Sequence, residues 1–394
     1  MSDRTSAADL GVYIHVPFCE RVCPYCDFAV EAVGARRALP PDLEAPWLDL
    51  LLREFEQVRT ELASDLDDRR LRTVYLGGGT PSLLAPASIE RILRALAGAF
   101  SGSPEEITLE LNPCAVETER AAGFRAVGVN RLSVGLQSLQ DRTLKRLGRG
   151  HTGDEARAGL GACLAQGFES ISVDLIYGAP EQSCGKLLED AAELLDMGLP
   201  HISAYALTIE PGTPFASAVE SGKLALPSED ELLDQWLGLR SLLRASGLEQ
   251  YEISSFARAG HRSRHNQRYW LRHDVLGLGP SAASLLGEHR FQNLRNRTVW
   301  QQALSSGAST RSEDSRLSER EARQETLGLG LRRLDGVSRA AYQRRFGAAP
   351  EAHFGAELRE LRSLLLIEDR AGRICLTERG IRFADEVFLR FVGD

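Results

Sequence analysis

Three cysteines near the start of the chain have the spacing that most clearly predicts chemistry. Cys19, Cys23 and Cys26 form a Cys-x3-Cys-x2-Cys arrangement within the segment Val16–Phe28. A short loop that carries three thiolates can wrap one side of a metal site. Iron–sulfur clusters usually take four cysteines, and the residue two positions after Cys26 is Phe28. The spacing therefore predicts a [4Fe–4S] cluster in which one iron has no protein ligand and can bind a small molecule.

Two other interpretations of these cysteines stay open on the sequence alone. One is a zinc site completed by His15 or by a distant residue, although the sequence has no second CxxC pair. The other is three unrelated thiols. The remaining four of the seven cysteines are scattered and fit small buried hydrophobic residues; they are Cys114, Cys163, Cys184 and Cys375.

The elements that must position the cysteines alternate between β-branched runs and amphipathic stretches. This alternation predicts βαβ units and a parallel sheet, with the cysteines in the loop after the first strand. We expect an incomplete (β/α)6 TIM-type barrel over residues 11–250, with an open doubly wound sheet as the alternative. The six strand candidates are Val12–Val16, Thr73–Leu76, Ile107–Leu111, Arg131–Gly135, Ser170–Ile176 and His201–Leu207.

Polar or glycine-rich residues stand where these strands end, which is the active face of such a barrel. The second strand runs into Gly77-Gly78-Gly79-Thr80-Pro81, where glycines allow close approach of a ligand to the backbone. The third, fourth and fifth carry Glu110, Gln137 and Asp174. Each of these residues alone is explained by a cap or a turn. Their joint occurrence at one edge of one sheet predicts a cofactor site.

The cysteine motif, with an aromatic residue before Cys26, resembles the radical SAM superfamily. The sequences of four segments resemble those of the oxygen-independent coproporphyrinogen III oxidase group: Tyr13-Ile-His-Val-Pro-Phe-Cys19, Tyr75-Leu-Gly-Gly-Gly-Thr-Pro81, Val129-Asn-Arg-Leu-Ser-Val-Gly-Leu-Gln137 and Val173-Asp-Leu-Ile-Tyr-Gly-Ala-Pro180. The resemblance implies that the open iron of the cluster binds S-adenosylmethionine (SAM). It also implies that a reduced cluster can cleave SAM to a 5′-deoxyadenosyl radical.

Site residues follow from the same resemblance, motif by motif. It implies that Cys19, Cys23 and Cys26 bind the cluster. It further implies contacts with the cluster-bound SAM from Tyr13, Gly78 and Glu110. The positions that match contacts with a second SAM are Tyr25, Gly79, Thr80, Gln137, Arg149 and Asp174.

Two functional branches exist in this group, and the sequence favours one of them. The oxidase carries a fourth cysteine where this chain has Phe28, and it has a longer segment before the cluster motif than the eighteen residues found here. Both departures resemble the haem-chaperone branch, which implies haem binding and delivery to haem-dependent membrane or respiratory proteins. The alternatives are coproporphyrinogen III decarboxylation and a radical SAM enzyme with an unrelated substrate.

A basic segment follows the barrel and contains a further motif. Residues 257–300 hold eight arginines, no lysine and two acidic residues, in a chain of net charge -8. Within it, His265-Asn-Gln-Arg-Tyr269-Trp270 matches the HNxxYW pattern associated with haem in that branch, which implies His265 as a haem ligand; a hydrogen-bonded structural histidine is the alternative. The arginines suit an anionic partner such as haem, or form a solvated or interdomain face.

The remaining sequence predicts the domain boundaries and the location of the protein. We expect an N-terminal tail (1–10), the basic connecting segment (251–302), a linker (303–320) and a C-terminal helical, winged-helix-like domain (321–394). No apolar run approaches the length of a membrane span and no secretory signal is visible. A cytoplasmic protein that binds no nucleic acid and contacts membranes at most peripherally is therefore predicted, with a homodimer possible.

Overall fold

A computed structural model of the chain describes residues 9–34, 38–113 and 118–392. Most of the predicted N-terminal tail, and Cys114, lie outside these residues. The described strands form sheets of twelve, three and two strands. Their bounds are β1 (Asp9–Val16), β2 (Phe18–Cys19), β3 (Glu31–Ala32), β4 (Arg70–Gly78), β5 (Glu106–Leu111), β6 (Arg131–Gln137), β7 (Ser170–Tyr177), β8 (His201–Ala206), β9 (Glu249–Gln250), β10 (Ser255–Ala257), β11 (Val275–Leu278), β12 (Ala283–Leu286), β13 (His289–Asn293), β14 (Arg311–Arg316), β15 (Val337–Ser338), β16 (Ile367–Arg370) and β17 (Arg373–Leu376).

The helices connect these strands and also build the C-terminal region. Several begin with a proline in the first turn, which has no amide hydrogen that needs a partner. Others begin with a Ser/Thr cap whose side chain accepts a hydrogen bond from a free amide. Their bounds are α1 (Pro41–Glu61), α2 (Ala63–Leu66), α3 (Pro86–Ala99), α4 (Thr118–Ala126), α5 (Asp141–Arg146), α6 (Gly153–Ala165), α7 (Cys184–Asp196), α8 (Pro214–Glu220), α9 (Glu229–Ala245), α10 (Arg264–Trp270), α11 (Arg297–Ser306), α12 (Glu319–Gly330), α13 (Arg339–Phe346), α14 (Pro350–Ser363), α15 (Glu378–Arg382) and α16 (Ala384–Val392).

The twelve-stranded sheet has the order β14-β13-β12-β11-β1-β4-β5-β6-β7-β8-β10-β9. All neighbours from β11 through β8 pair in parallel, and antiparallel strands extend both edges. The sheet ends at β14 and β9 and does not close. This confirms the predicted α/β fold with an incomplete barrel, in which all six predicted strands are present.

Side chains alternate between the two faces of the parallel strands, as the pleat requires. Apolar residues such as Val12, Leu76, Leu109 and Val134 are fully buried in the main hydrophobic core. The residues between them are polar or aromatic and bond to one another on the other face. Tyr75 with Glu110, Ser133 with Asp174 and Thr73 with His265 are examples. The concave side of the barrel is therefore polar and able to hold a charged cofactor.

The chain between the barrel and the C-terminal region is more ordered than the sequence suggested. Residues 251–254 connect β9 to β10, which starts at Ser255. The basic connecting segment supplies β11, a seventh parallel strand beside β1. The segment 303–320, expected as a linker, contains β14, which pairs with β13. Five of the six residues in β14 are exposed, so no alternation of apolar residues marks it.

The C-terminal region has its own core of apolar residues from α12 to α16. Its sheet has the order β15-β17-β16. Strands β16 and β17 form a hairpin that turns at Ala371 and Gly372, both with positive φ angles (48° and 75°). None of the helices in the described ranges is long and apolar enough to cross a membrane.

Candidate metal centre and cofactor site

The three cysteines lie on one loop at the carboxyl end of β1. The loop is closed by the short parallel pair of β2 and β3, in which Cys19 pairs with Ala32. Cys23 is buried, whereas Cys19 and Cys26 are partly exposed. Phe28 follows with 65% of its side chain exposed. The loop therefore presents its sulfur atoms from one compact turn.

Each cysteine sulfur lies near one hydrogen-bond donor. The Thr80 hydroxyl is 3.6 Å from the Cys19 sulfur, the Arg149 guanidinium is 3.6 Å from the Cys23 sulfur, and the Phe28 amide is 3.5 Å from the Cys26 sulfur. Burial raises the pKa of the Cys19 thiol to about 11. A metal must therefore displace the proton of this thiol, and the three donors stabilise the thiolates that result.

Polar contacts link the donors to each other behind the sulfur atoms. Asn112 donates to the Thr80 hydroxyl over 3.0 Å. The oxygen of the Asn112 side chain accepts a hydrogen bond from Arg149, which also donates to the Gly135 carbonyl. The contacts run from Cys19 through Thr80, Asn112 and Arg149 to Cys23. The ends of β4, β5 and β6 thus support the cysteine loop directly.

The arrangement of the cysteines bears on which metal they fit. Within the described part of the chain, no three His, Cys, Asp or Glu residues form a group that could hold a single metal ion. Zinc ligands all reach one atom, whereas a [4Fe–4S] cluster binds each thiolate to a different iron. The cluster assignment rests on the Cys-x3-Cys-x2-Cys spacing and on the single loop that carries all three cysteines.

The glycine run after β4 packs against the start of the cysteine loop. The Gly79 amide donates to the Val16 carbonyl and the Thr80 amide to the Phe18 carbonyl. A Cβ atom on Gly79 would lie 2.5 Å from the Phe18 oxygen, so only glycine fits. The Gly78 amide donates to Glu110. These three amides are satisfied within the protein, so any ligand contact here involves carbonyls or Cα atoms.

Glu110 is the carboxylate closest to this glycine run. It accepts hydrogen bonds from the Tyr75 hydroxyl (2.7 Å) and the Gly78 amide (3.0 Å). Burial raises the pKa of Glu110 to about 7, with a further contribution from nearby Asp174. SAM carries an ammonium and a sulfonium group, so an ionised Glu110 would attract it. The position of Glu110 fits the predicted cofactor contact.

Asp174 and Gln137 extend the polar face along β7 and β6. Ser133 donates to Asp174 over 3.3 Å, and burial raises the pKa of Asp174 to about 6. Gln137 has a positive φ of 71°, which few residues other than glycine adopt. Its side-chain oxygen is buried and accepts no hydrogen bond in the structure. A buried acceptor of this kind fits a site that a bound donor completes.

Tyr13 lies on β1, and Tyr25 lies in the cysteine loop between Cys23 and Cys26. The Tyr13 hydroxyl is 3.0 Å from Nδ1 of His15, whose other ring nitrogen bonds to the Ala29 carbonyl. Both nitrogens of His15 are thus occupied, which disfavours His15 as the fourth ligand of a zinc ion. The Tyr25 ring packs against Phe215 with 6.2 Å between ring centroids.

The basic segment contributes two arginines that hold the cysteine loop. Arg295 bonds to the side chain and carbonyl of Asp27. Arg297 bonds to Glu31 over 2.8 Å and lies over the Phe18 ring at 5.6 Å. Glu31 is part of β3 and Asp27 follows Cys26 directly. These two arginines therefore tie the cysteine loop to the start of helix α11.

Most other arginines of the basic segment are also used inside the molecule. Arg262 pairs with Glu249, Arg264 with Glu105, and Arg272 and Arg290 with Glu325. Arg268 donates to the carbonyls of Asp9 and Asp274. The excess positive charge of this segment thus joins parts of the chain. Of the two interpretations given for these arginines, the ion pairs favour a face between parts of the chain over a surface for an anionic partner.

His265 lies at the opposite end of the barrel from the cysteines, on helix α10. Its side chain has no exposed surface. Its ring nitrogens are 2.9 Å from the hydroxyls of Thr73 and Tyr269. Burial lowers the pKa of His265 to about 3, so the ring is neutral. A haem iron cannot reach either nitrogen in this arrangement, which is that of a hydrogen-bonded structural histidine.

Three residues of the site were not assigned from the sequence: Tyr75, Asn112 and Ser133. Asn112 stands at a strand end in Glu110-Leu-Asn112-Pro113, which was the available signal. Tyr75 and Ser133 lie within strands, where their alternation with buried apolar residues places them on the polar face. Period-two alternation could have identified both.

Comparison with known proteins agrees with this geometry. Residues 13–197 match the Radical SAM superfamily and residues 317–383 match the HemN C-terminal domain. Among solved structures, coproporphyrinogen III oxidase (HemN) from Escherichia coli superposes with a TM-score of 0.82 at 23% identity, covering 98% of this chain and 90% of that one. This likeness shows a shared fold. A radical SAM family implies a [4Fe–4S] cluster and SAM, which the cysteines, Glu110 and Gln137 fit.

Curated relatives match the chain over nearly its whole length. The "Heme chaperone HemW" of Lactococcus lactis is 32% identical over 385 residues, covering 98% of this chain and 97% of the relative. The protein of that name from Mycobacterium tuberculosis is 34% identical, covering 97% and 95%. The bovine mitochondrial "Radical S-adenosyl methionine domain-containing protein 1" is 35% identical, covering 97% and 87%. The chain therefore belongs to the HemW family within the radical SAM superfamily.

Proposed function

We propose that this protein is a cytoplasmic radical SAM-type haem chaperone that delivers haem to haem-dependent proteins, including those of respiratory membranes. Cys19, Cys23 and Cys26 hold the [4Fe–4S] cluster. Tyr13, Gly78 and Glu110 bind SAM at its open iron. When bound, the reduced cluster supplies the electron for SAM cleavage. The polar face formed by Tyr25, Gly79, Thr80, Gln137, Arg149 and Asp174 takes further parts of the cofactor or a second SAM.

One observation carries the cofactor part of this proposal. Each of three cysteine sulfurs on a single loop lies within 3.6 Å of a donor, and two of those donors are joined through Asn112. A set of unrelated thiols has no reason to share such support. Buried, uncharged acceptors and carboxylates stand next to it on the same face. This set of residues best supports a thiolate-bound cluster that acts on a cationic ligand.

The haem part rests on the family and on Phe28. Two of the relatives that match nearly the whole chain are named haem chaperones. The exposed Phe28 occupies the position at which the oxidase group has a fourth cysteine. The proposal of haem binding does not depend on His265 as the iron ligand. The burial of His265 and its two hydrogen bonds argue against direct ligation by that residue.

The test begins with anaerobic cluster assembly on the full chain. We expect a brown protein whose absorbance near roughly 400 nm is lost in Cys19→Ser, Cys23→Ser and Cys26→Ser. Cys163→Ser is the matched control, because Cys163 is buried in the hydrophobic core on helix α6, outside the cysteine loop, and its substitution should leave the colour unchanged. Haem is then titrated into the protein, and its transfer to an apo-haemoprotein is followed by absorbance.

Two outcomes would contradict the proposal. A colourless, zinc-loaded protein would remove the cluster. Formation of protoporphyrinogen from coproporphyrinogen III, with SAM and a reductant present, would assign an oxidase instead. Stoichiometric haem binding and transfer without that product is the expected result.

A further inference from the structure

Helix α10, which carries the HNxxYW motif, closes the amino-terminal end of the barrel. Its first amides, those of Arg264 and His265, donate to the two oxygens of Glu106 at the start of β5, each over 2.8 Å. Ser263 caps the helix and its amide donates to the Tyr251 hydroxyl. Conserved chemistry in such barrels sits at the other end. The motif is thus built into the base of the barrel rather than into its mouth.

His265 connects this base to the residue that supports the SAM-facing carboxylate. The His265 and Tyr75 rings pack together with 5.2 Å between centroids and 33° between planes. The Tyr75 hydroxyl, at the far end of that ring, donates to Glu110 over 2.7 Å. The hydrogen bonds to Thr73 and Tyr269 fix the His265 ring in this orientation.

We propose that His265 is a positioning residue for the cofactor site: it holds Tyr75, and through Tyr75 it orients and hydrogen-bonds Glu110. This inference rests on the SAM-binding part of the proposed function. It assigns the histidine of the HNxxYW motif a task at the cluster end of the barrel. It also explains why a polar ring, which could be exposed as a ligand, is instead completely buried.

The consequence concerns the charge of Glu110. The hydrogen bond from Tyr75 favours the ionised carboxylate, whereas burial favours the neutral acid. If Tyr75 moves, a larger fraction of Glu110 is neutral near neutral pH, and its attraction for cationic SAM weakens. The titratable and charged groups that face Glu110 are Tyr13, Tyr75, Arg131, Asp174 and Tyr269. Two of these residues, Tyr75 and Tyr269, contact His265.

The experiment measures SAM affinity of the cluster-loaded protein by equilibrium dialysis from about pH 6 to about pH 9. In His265→Ala, the pH at which SAM affinity reaches half its maximum should rise by about one unit, because Glu110 loses a charge-stabilising donor. SAM binding at pH 7 should be about fivefold weaker than in wild type, and the ratio to wild type at the same pH, in which titration of the SAM amino group cancels, should approach one at high pH. Tyr75→Phe should give the same upward shift, since it removes only the donor.

Two variants separate positioning from general destabilisation. His265→Phe keeps a ring against Tyr75 and should retain the wild-type midpoint while losing both nitrogens. His201→Ala is the matched control, because His201 is also buried at the barrel base with both nitrogens bonded, to Ser172 and Tyr251. It should lower thermal stability as His265→Ala does and leave the midpoint of SAM binding unchanged.

Several results would overturn the inference. Equal loss of SAM affinity in His265→Ala and His201→Ala at every pH would reduce His265 to a structural residue. An unchanged midpoint in Tyr75→Phe would break the link to Glu110, even if His265→Ala fails to fold. Loss of haem binding in His265→Phe with SAM binding intact would restore the ligand assignment. If the wild-type protein with its cluster binds no SAM, the proposed function itself fails before any variant is compared.

Discussion

The guanidinium of Arg149 lies 3.6 Å from the sulfur of Cys23, although 126 positions separate the two residues in the sequence. The contact is possible because Arg149 sits in a glycine-flanked turn. A Cβ atom on Gly148, which has a φ of 68°, would lie 2.5 Å from the Pro24 ring of the cysteine loop. The close packing of the turn after α5 against Pro24 therefore places the Arg149 guanidinium beside the Cys23 sulfur.

We expect Arg149→Gln to weaken retention of the cluster. A positive charge beside a thiolate favours the ionised sulfur that binds iron, and Arg149 also anchors Asn112. Iron and sulfide content after anaerobic assembly and desalting should fall at least twofold. Arg146→Gln is the control, because Arg146 forms an exposed pair with Glu181 near the same turn. Equal iron retention in the two variants would show that Arg149 has no part in holding the cluster.

A second prediction concerns Arg297, which ties the cysteine loop to helix α11. Arg297→Ala removes an ion pair with Glu31 and the stacking over Phe18, so the loop that carries the cysteines should open more often. A loss of about 1 kcal/mol is expected for a partly buried pair of this kind. Limited proteolysis within the loop should accelerate, as followed by mass spectrometry of the fragments.

The control for Arg297→Ala is Arg91→Ala, which removes an exposed pair with Asp49 between two helices. Exposed pairs of that kind contribute little, so cleavage of the cysteine loop should keep its wild-type rate. If Arg297→Ala and Arg91→Ala are cleaved alike, the basic segment does not hold the loop.

The sequence predicted the barrel strands and several site residues because both signals are local. Each of the six strands is a β-branched run between turn residues, and Glu110 and Gln137 stand at strand ends. β11 was missed since Val275–Leu278 is a short run with a glycine, and its pairing with β1 depends on residues more than 260 positions away. The packing of the chain, not its local pattern, assigns that strand.

The location of His265 shows the same limit for the site. Its neighbours Tyr269 and Trp270 made a ligand the natural interpretation, and its residue type allows that role. Whether a histidine points to solvent or to the core depends on where its helix docks. Helix α10 docks through two hydrogen bonds from its backbone amides to the Glu106 carboxylate, which join residues almost 160 positions apart. No motif of six residues contains that information.

Acid should destabilise the protein through its buried neutral histidines. Burial lowers the pKa of His265 to about 3, below the usual value of 6.5. The stability that this histidine contributes is therefore present above pH 6.5 and is lost as pH falls towards 3. The gap in unfolding free energy between wild type and His265→Phe should shrink by about 2–3 kcal/mol between pH of about 7.5 and about 4.5.

Urea unfolding at the two pH values checks this prediction. Thr73→Val is the matched control, since it removes a hydrogen bond of the same histidine and keeps the titrating group. Its gap from wild type should change far less between the two pH values. A pH-independent gap for His265→Phe would mean that the ring becomes protonated in the folded protein.

The last prediction concerns the contact between the motif helix and the C-terminal region. The Arg332 guanidinium lies 4.4 Å from the centre of the Trp270 ring, at the end of α10, and also faces Phe388 of α16. Backbone hydrogen bonds join the same two regions, from Ile253 to Arg332 and from Leu334 to Tyr251. Arg332→Ala should therefore loosen the C-terminal region from the barrel and split a single thermal transition into two.

The control is Arg311→Ala, which removes a stacking contact of the same 4.4 Å length over Phe291, together with ion pairs to Glu61 and Asp314, all outside the C-terminal region. Each contact is worth about 1 kcal/mol, so the two variants should lose similar total stability. Only Arg332→Ala should separate the transitions in differential scanning calorimetry, because only that contact crosses between the two hydrophobic cores. A single transition in both variants would mean that the other contacts between the two regions, which include the backbone hydrogen bonds and the Arg272–Glu325 ion pair, keep the C-terminal region and the barrel unfolding together.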